Sequence, residues 1–114
     1  MKKFEEIKFN IPELKGISAK NVEEHLKLYA GYVKNANGIM EKMAELDSEK
    51  DAYICGELFR RFSFEYNGMR NHEIYFASLS GGAKSLDDKS GIGKSLIELF
   101  GSIEKFKSEF KNLA

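Results

Sequence analysis

The chain has 114 residues, the length of one small domain or of part of one. Its apolar fraction of 42% is ordinary for a globular protein and too high for a disordered one. Eighteen basic and eighteen acidic side chains cancel, so we expect no nucleic-acid partner and no binding to anionic lipid.

A single cysteine, Cys55, excludes an internal disulfide and favours a reducing compartment. The charged start MKKFEEIKF lacks the apolar core of a signal peptide. No window approaches the roughly 18 apolar residues of a membrane span. These features predict a cytoplasmic protein without a membrane segment.

The first half of the chain predicts an extended arm and then a long helix. Residues 1–17 contain the only proline, Pro12, which argues against a helix there. Ser18 is a typical N-cap, and apolar side chains at three- and four-residue spacing predict a helix that ends near Leu46. This stripe consists of Val22, His25, Leu26, Tyr29, Tyr32, Val33, Ala36, Met40 and Met43. A helix of this length favours an antiparallel hairpin with the next helix.

The second helix is predicted from about Asp51 to Ser78. Its inward side chains should be Ile54, Leu58, Phe62, Met69, His72 and Phe76. A loop rich in glycine and serine follows from Ser80 to Gly91.

Two short helices complete the prediction. The third covers about Ile92 to Phe100 and ends at Gly101, and Ser102 caps the fourth. The fourth should bury Ile103, Phe106, Phe110 and Leu113. The predicted fold is all-α, with the arm and hairpin in residues 1–79 and the loop and two short helices in residues 80–114.

His25 and His72 lie on the apolar stripes of the two long helices, and in an antiparallel hairpin these stripes face each other. Two imidazoles on rigid helices suit Fe, Mn, Zn or Cu. Two core histidines satisfied by hydrogen bonds are the alternative. A metal site usually needs a third and often a fourth ligand. Glu65, two turns before His72, is the geometrically possible one, whereas Glu24 and Glu73 should point away from the histidines beside them.

Three segments carry a resemblance to a known family. They are, in order, IPELKGISAKNVEEHLKLYAGYVKNAN, NGMRNHEIYFASL and FGSIEKFKSEF. They resemble the iron/manganese superoxide dismutases, in which a Pro-Glu-Leu arm leads to a helix with the first histidine ligand. In that family an Asn-His-x-x-Tyr element on the second helix gives the second ligand, and a Phe-Gly-Ser turn opens a short helix. The resemblance covers essentially the whole chain.

The resemblance implies a mononuclear Fe or Mn site that converts superoxide to oxygen and hydrogen peroxide. It assigns His25 and His72 as metal ligands and Tyr32 as the catalytic tyrosine that lines the substrate entrance. The alternative for Tyr32 is simple core packing. Residues that correspond to the shell around the metal are Asn71, Tyr75 and Phe76.

The sequence also departs from the family pattern. The interval from His25 to Tyr32 is one residue shorter than in most members, and Phe76 replaces a tryptophan. Gly68 stands where iron-type members tend to have glutamine, and glycine is the manganese-type residue. The aspartate and third histidine of an Asp-x-Trp-Glu-His element do not occur.

The chain therefore resembles the N-terminal helical part of the family, with the second ligand half missing. We expect weak metal binding and poor dismutation by this chain alone. We also expect a homodimer, or a complementing chain that carries the other ligands. One alternative is a helical interaction or weak metal-binding module that has lost the chemistry. Another is a helical bundle with two core histidines and no metal.

Overall fold

The computed structural model describes residues 2–114. It contains four helices: α1 (Ala19–Ala44), α2 (Ala52–Leu79), α3 (Gly91–Phe100) and α4 (Ile103–Leu113). No strand forms within the described residues, so the predicted all-α class with a long hairpin and two short helices is confirmed. The chain separates into two compact units, of which one ends at Ala83 and the other is Lys84–Ala114. The domain division at residues 79 and 80 stays a prediction.

Helices α1 and α2 pack antiparallel. His25 near the start of α1 meets His72 near the end of α2, and farther along α1 Asn35 meets Glu65. The predicted N-cap of α1 is confirmed, because the hydroxyl of Ser18 accepts a hydrogen bond from the N–H of Asn21 at 3.1 Å.

A carboxylate closes the turn between the two long helices. Asp47 accepts hydrogen bonds from the N–H groups of Glu49 at 2.9 Å and Lys50 at 3.1 Å. The N–H groups of Lys50 and then Glu49 hold the pKa of the Asp47 carboxyl below its ordinary value. The turn therefore satisfies two of its own peptide N–H groups with a side chain.

The core of the hairpin unit is small and largely aromatic. Its buried cluster consists of Tyr29, Val33, Met69 and Phe76. Of the side chains predicted to point inward from α2, Ile54 is 50% exposed, so that part of the prediction was wrong. The antiparallel register places Ile54 opposite the turn after Ala44, where α1 has already ended.

The arm, residues 2–17, lies along the hairpin as an extended segment, as its composition predicts. Among the described residues, its peptide groups have no neighbouring strand to supply hydrogen bonds, and a side chain of α1 supplies them for Phe4. Asn37 accepts from the N–H of Phe4 at 2.8 Å and donates to its carbonyl at 2.9 Å. Farther along the arm, the carbonyl of Asn10 accepts from the N–H of Gly81 at 3.0 Å.

The unit Lys84–Ala114 is a pair of short helices. Gly101 ends α3 with φ of 87°, a conformation that favours glycine, and the hydroxyl of Ser102 caps α4. The predicted buried face of α4 was wrong in its second half, since Phe110 is 64% exposed and Leu113 is 89% exposed. The two helices pack near their junction, where the rings of Phe100 and Phe106 lie 5.2 Å apart, and this packing covers only the first turns of α4.

Tyr29 connects the arm to both long helices. Its hydroxyl accepts from the N–H of Ile7 at 2.9 Å and donates to the buried carboxylate of Glu73 at 3.0 Å. Arg70 forms an ion pair with the other carboxylate oxygen of Glu73. Burial raises the pKa of the Tyr29 hydroxyl; the Ile7 N–H opposes this shift, and Glu73 adds to it.

Replacing Tyr29 by Phe should lower the free energy of unfolding by about 1–3 kcal/mol. The substitution leaves the N–H of Ile7 and one carboxylate oxygen of Glu73 without a partner, while Arg70 still pairs with the other oxygen. Urea unfolding measures the effect. Tyr53→Phe is the matched control: this ring is 83% exposed and its change should stay within about 0.5 kcal/mol. Equal effects of the two substitutions would contradict the role of the Tyr29 hydroxyl.

The same hydroxyl predicts a pH dependence in alkali. Because the pKa of Tyr29 is higher in the folded chain than the ordinary value of 10.0, folding favours its neutral form. This stabilisation is complete below pH 10 and is lost as pH rises through the folded-state pKa. Urea midpoints between pH 8 and pH 11 should therefore fall more steeply for the native chain than for Tyr29→Phe. Parallel curves would show that this hydroxyl does not contribute.

Candidate metal centre

The hairpin brings His25 and His72 together, as their positions on facing stripes predict. Nδ1 of His25 lies 3.3 Å from Nε2 of His72, and the ring centroids are 5.5 Å apart. Both side chains are half-buried. The structure thus shows the convergence of the two imidazoles, while their role as metal ligands stays a prediction.

The backbone determines which nitrogen of His72 carries the proton. Nδ1 of His72 lies 2.7 Å from the carbonyl oxygen of Gly68, and because a carbonyl only accepts, Nδ1 must donate. In the neutral ring, Nε2 then carries the lone pair and accepts from Nδ1 of His25. His72 is therefore held in the tautomer that a metal ligand requires, with the outer hydrogen bond that commonly orients such a ligand.

The distance between the two nitrogens fits a shared metal ion. Imidazole nitrogens bind zinc at about 2.0–2.1 Å, so two of them that share one ion lie no more than about 4 Å apart. Nδ1 of His25 and Nε2 of His72 are 3.3 Å apart. An ion bound by both atoms would replace their hydrogen bond, and the proton on His25 would move to its other ring nitrogen.

Within the described residues, His25 and His72 are the two candidate metal donors that come together. Among residues 2–114, no group of three or more His, Cys, Asp or Glu side chains could hold a metal ion. The suggestion of Glu65 as a further ligand was wrong, since its buried carboxylate accepts from Arg61 at 2.7 Å and from Asn35 at 3.3 Å. The seven-residue separation from His72 corresponds to about 10 Å along a helix, too far to share an ion.

The other two neighbouring carboxylates behave as their positions on the helices predict. Glu73 turns to Tyr29 and Arg70, and Glu24 pairs with Lys27 at 3.1 Å on the surface. Glu24 directly precedes His25 and Glu73 directly follows His72, so each points away from its neighbouring histidine. Neither carboxylate contributes to the pair of imidazoles.

Aromatic rings surround the two imidazoles. The Tyr32 ring centroid lies 5.3 Å from that of His72, and the Tyr75 centroid lies 5.6 Å from that of His25. Phe76 is fully buried, with its ring centroid 5.8 Å from that of His72. The structure therefore brings Tyr32, Tyr75 and Phe76 to the histidine pair.

An open recess gives solvent access to the pair. Its lining residues are His25, Asn71, His72 and Tyr75. Tyr32 lines a neighbouring depression together with Lys27 and Arg61. All six residues selected from the sequence thus lie at or beside the pair, and their functional roles stay predictions.

Sequence reasoning did not recognise the contribution of Gly68 to this arrangement. A glycine inside a helix lowers its stability relative to alanine, by about 1 kcal/mol. Such a residue one turn before a candidate ligand is a signal of close packing or function. Its carbonyl orients His72, a contact that the side-chain pattern alone does not show.

Comparison with known proteins identifies the family. Residues 3–80 match the sequence model described as "Iron/manganese superoxide dismutases, alpha-hairpin domain". A mitochondrial manganese superoxide dismutase of Glossina morsitans morsitans is 33% identical over 79% of this chain and 41% of its own length. An iron superoxide dismutase of Cupriavidus metallidurans is 39% identical, with coverages of 86% and 49%. The chain belongs to the iron/manganese superoxide dismutase family.

A further relative, the iron superoxide dismutase of Aquifex aeolicus, is 31% identical over 89% of this chain and 50% of its own length. The chain thus spans about half the length of the curated relatives that it matches. No solved structure gives a significant match. Within residues 2–114, no helix is both long enough and apolar enough to cross a membrane.

The position of Glu65 predicts separate effects on stability and on metal binding. Glu65→Ala should lower the free energy of unfolding by about 1–3 kcal/mol, because Asn35 and Arg61 lose a buried acceptor. The affinity of the Glu65→Ala chain for Co²⁺, measured by titration, should match that of the native chain. Glu57→Ala is the control, since this 52%-exposed carboxylate pairs with Arg60 on the surface and should contribute less than about 1 kcal/mol. A tenfold loss of Co²⁺ affinity in Glu65→Ala would restore Glu65 as a ligand.

Proposed function

We propose that this chain supplies the helical-hairpin part of an Fe- or Mn-dependent superoxide dismutase centre. The observation that carries the proposal is the 3.3 Å approach of His25 Nδ1 and His72 Nε2 across a hairpin of this family. A bound Fe or Mn ion would supply the one-electron chemistry that converts two superoxide anions and two protons into oxygen and hydrogen peroxide. Curated relatives of both the iron and the manganese type support either metal.

The chain's own residues would hold and shape this centre. His25 and His72 would bind the ion, and the carbonyl of Gly68 holds the Nδ1 proton of His72, so that the neutral ring presents the lone pair of Nε2. Tyr32, whose ring lies against that of His72, lines the approach of substrate as the catalytic tyrosine. The buried ring of Phe76 keeps water from one side of His72.

The recess side of the pair is more open and more polar. Asn71 and Tyr75 line it beside the two histidines. These two residues would contact whatever completes the coordination of the ion. Hydrogen bonds from such outer groups tune the metal and its bound ligands.

Ligands from outside residues 2–114 would complete the set. Two imidazoles are fewer protein ligands than a catalytic metal usually has, and the described residues supply no third donor. The matched relatives are about twice as long as this chain. We propose a homodimer or a complementing chain as the source of the remaining ligands. We also propose that the protein acts in the cytoplasm.

The two-donor set also favours a second function. A helical module of this family could bind metal weakly, or not at all, and serve as an interaction partner without dismutation. Nδ1 of His25 and both ring nitrogens of His72 have hydrogen-bond partners without a metal ion, as this alternative requires. Metal content and its dependence on the histidines distinguish the two functions.

The decisive measurement is the Fe and Mn content per chain of the purified protein. It should be made alone and after co-expression with the part of the Cupriavidus metallidurans relative that the match leaves uncovered. We expect substoichiometric metal in the chain alone and one ion per complex with the added part, together with superoxide consumption. His25→Ala and His72→Ala should each lower the metal content at least tenfold, because each removes a ligand. Glu57→Ala serves as a surface control.

Different outcomes exclude different parts of the proposal. Full metal content and high activity of the chain alone would exclude the need for a second polypeptide. Metal content that is unchanged in His25→Ala and His72→Ala would exclude this pair as the site. Absence of metal in every preparation, including the co-expressed complex, would support the non-catalytic alternative.

A further inference from the structure

Gly68 leaves a gap in a row of side chains on α2. Phe64, Gly68 and His72 follow one another at four-residue spacing and therefore share one helix face. We call the space above Gly68, between Phe64 and His72, the notch. The Tyr32 ring of α1 occupies it, with its centroid 6.1 Å from Phe64 and 5.3 Å from His72.

The notch exists only because position 68 has no side chain. A Cβ atom there would lie 2.6 Å from Cδ1 and 2.7 Å from Cζ of Tyr32. Distances under 3.0 Å require a shift of one of the two groups. The atoms that would have to shift belong to a rigid aromatic ring, and Phe64 and His72 lie on either side of it.

The other glycines of the long helices do not share this property. A Cβ atom at Gly31, Gly38 or Gly56 would meet nothing within 4 Å. Alanine is the better helix former, so substitution at these three positions should stabilise the chain. Only at Gly68 does packing oppose that gain.

We propose that Gly68 is a positioning residue that seats the Tyr32 ring against His72 while its own carbonyl orients the same imidazole. The inference rests on the proposed function only in treating Tyr32 and His72 as site residues. One small residue thus fixes the tyrosine of the substrate entrance and the lone pair of a metal ligand. A side chain at position 68 would displace the tyrosine and leave the carbonyl contact possible.

The test compares Gly68→Ala with Gly56→Ala, a matched substitution in the same helix. Each is made in the native chain and in the Tyr32→Ala chain, and urea unfolding gives the equilibrium constant of unfolding. Gly56→Ala should lower this constant about fivefold in both backgrounds. Gly68→Ala should raise it about tenfold in the native chain, because an added methyl overpacks the notch. In the Tyr32→Ala chain it should lower the constant about fivefold, as Gly56→Ala does.

A second measurement reports the position of the tyrosine directly. The chain has only two histidines, so their ring protons are readily assigned by NMR. Nuclear Overhauser contacts between the Tyr32 and His72 rings should persist in Gly56→Ala and disappear in Gly68→Ala. A loss of general packing would instead weaken the contacts between Tyr29 and Phe76 as well.

Neither measurement needs a metal ion, so the inference and the proposed function can fail separately. Stabilisation by Gly68→Ala in the native chain would overturn the role of the notch. Destabilisation that persists in the Tyr32→Ala chain, or unchanged ring contacts, would do the same. Failure of the co-expressed complex to bind metal would count against the proposed function alone.

Discussion

The hydroxyl of Tyr29 is the contact on which the arrangement of this hairpin depends. It joins a peptide group of the arm to a carboxylate buried in α2, and without it the N–H of Ile7 and one oxygen of Glu73 would lack a partner. Tyr29 lies one turn after His25 on α1, and Glu73 directly follows His72 on α2. The register that closes the Tyr29–Glu73 hydrogen bond is therefore also the register that brings the two imidazoles together. A polar contact outside the candidate centre thus sets the geometry inside it.

Much of the fold could be predicted because long helices repeat their pattern many times. The apolar stripe of α1 predicted both the extent of this helix and the face that packs against α2. The N-cap residues Ser18 and Ser102 marked the starts of two helices. Periodicity was wrong at Ile54 and Phe110, because spacing identifies which face of a helix is apolar but not how much of that face another helix covers. At Ile54 the opposing helix α1 has already ended.

The candidate centre was predictable to the level of residues, while its detailed contacts were not. The two histidines could be paired from the sequence, because helical spacing places each of them on the apolar stripe of its helix and the two stripes face each other. The hydrogen-bond partners of Glu65 and Glu73 depend on which side chains of α1 lie at the same level along the hairpin. The notch at Gly68 likewise depends on the distance between the helix axes, which no single helix pattern specifies.

The hydrogen bond from His25 to His72 has a consequence for the order in which a complete centre could assemble. Structural zinc sites in small domains commonly couple folding to metal, because their ligands have no other partner. Here Nδ1 of His25 and both ring nitrogens of His72 already have partners in the protein. The hairpin can therefore fold first and remain folded before an ion arrives. If this pair binds an ion, its loading would exchange one hydrogen bond for coordination within a hairpin that is already folded.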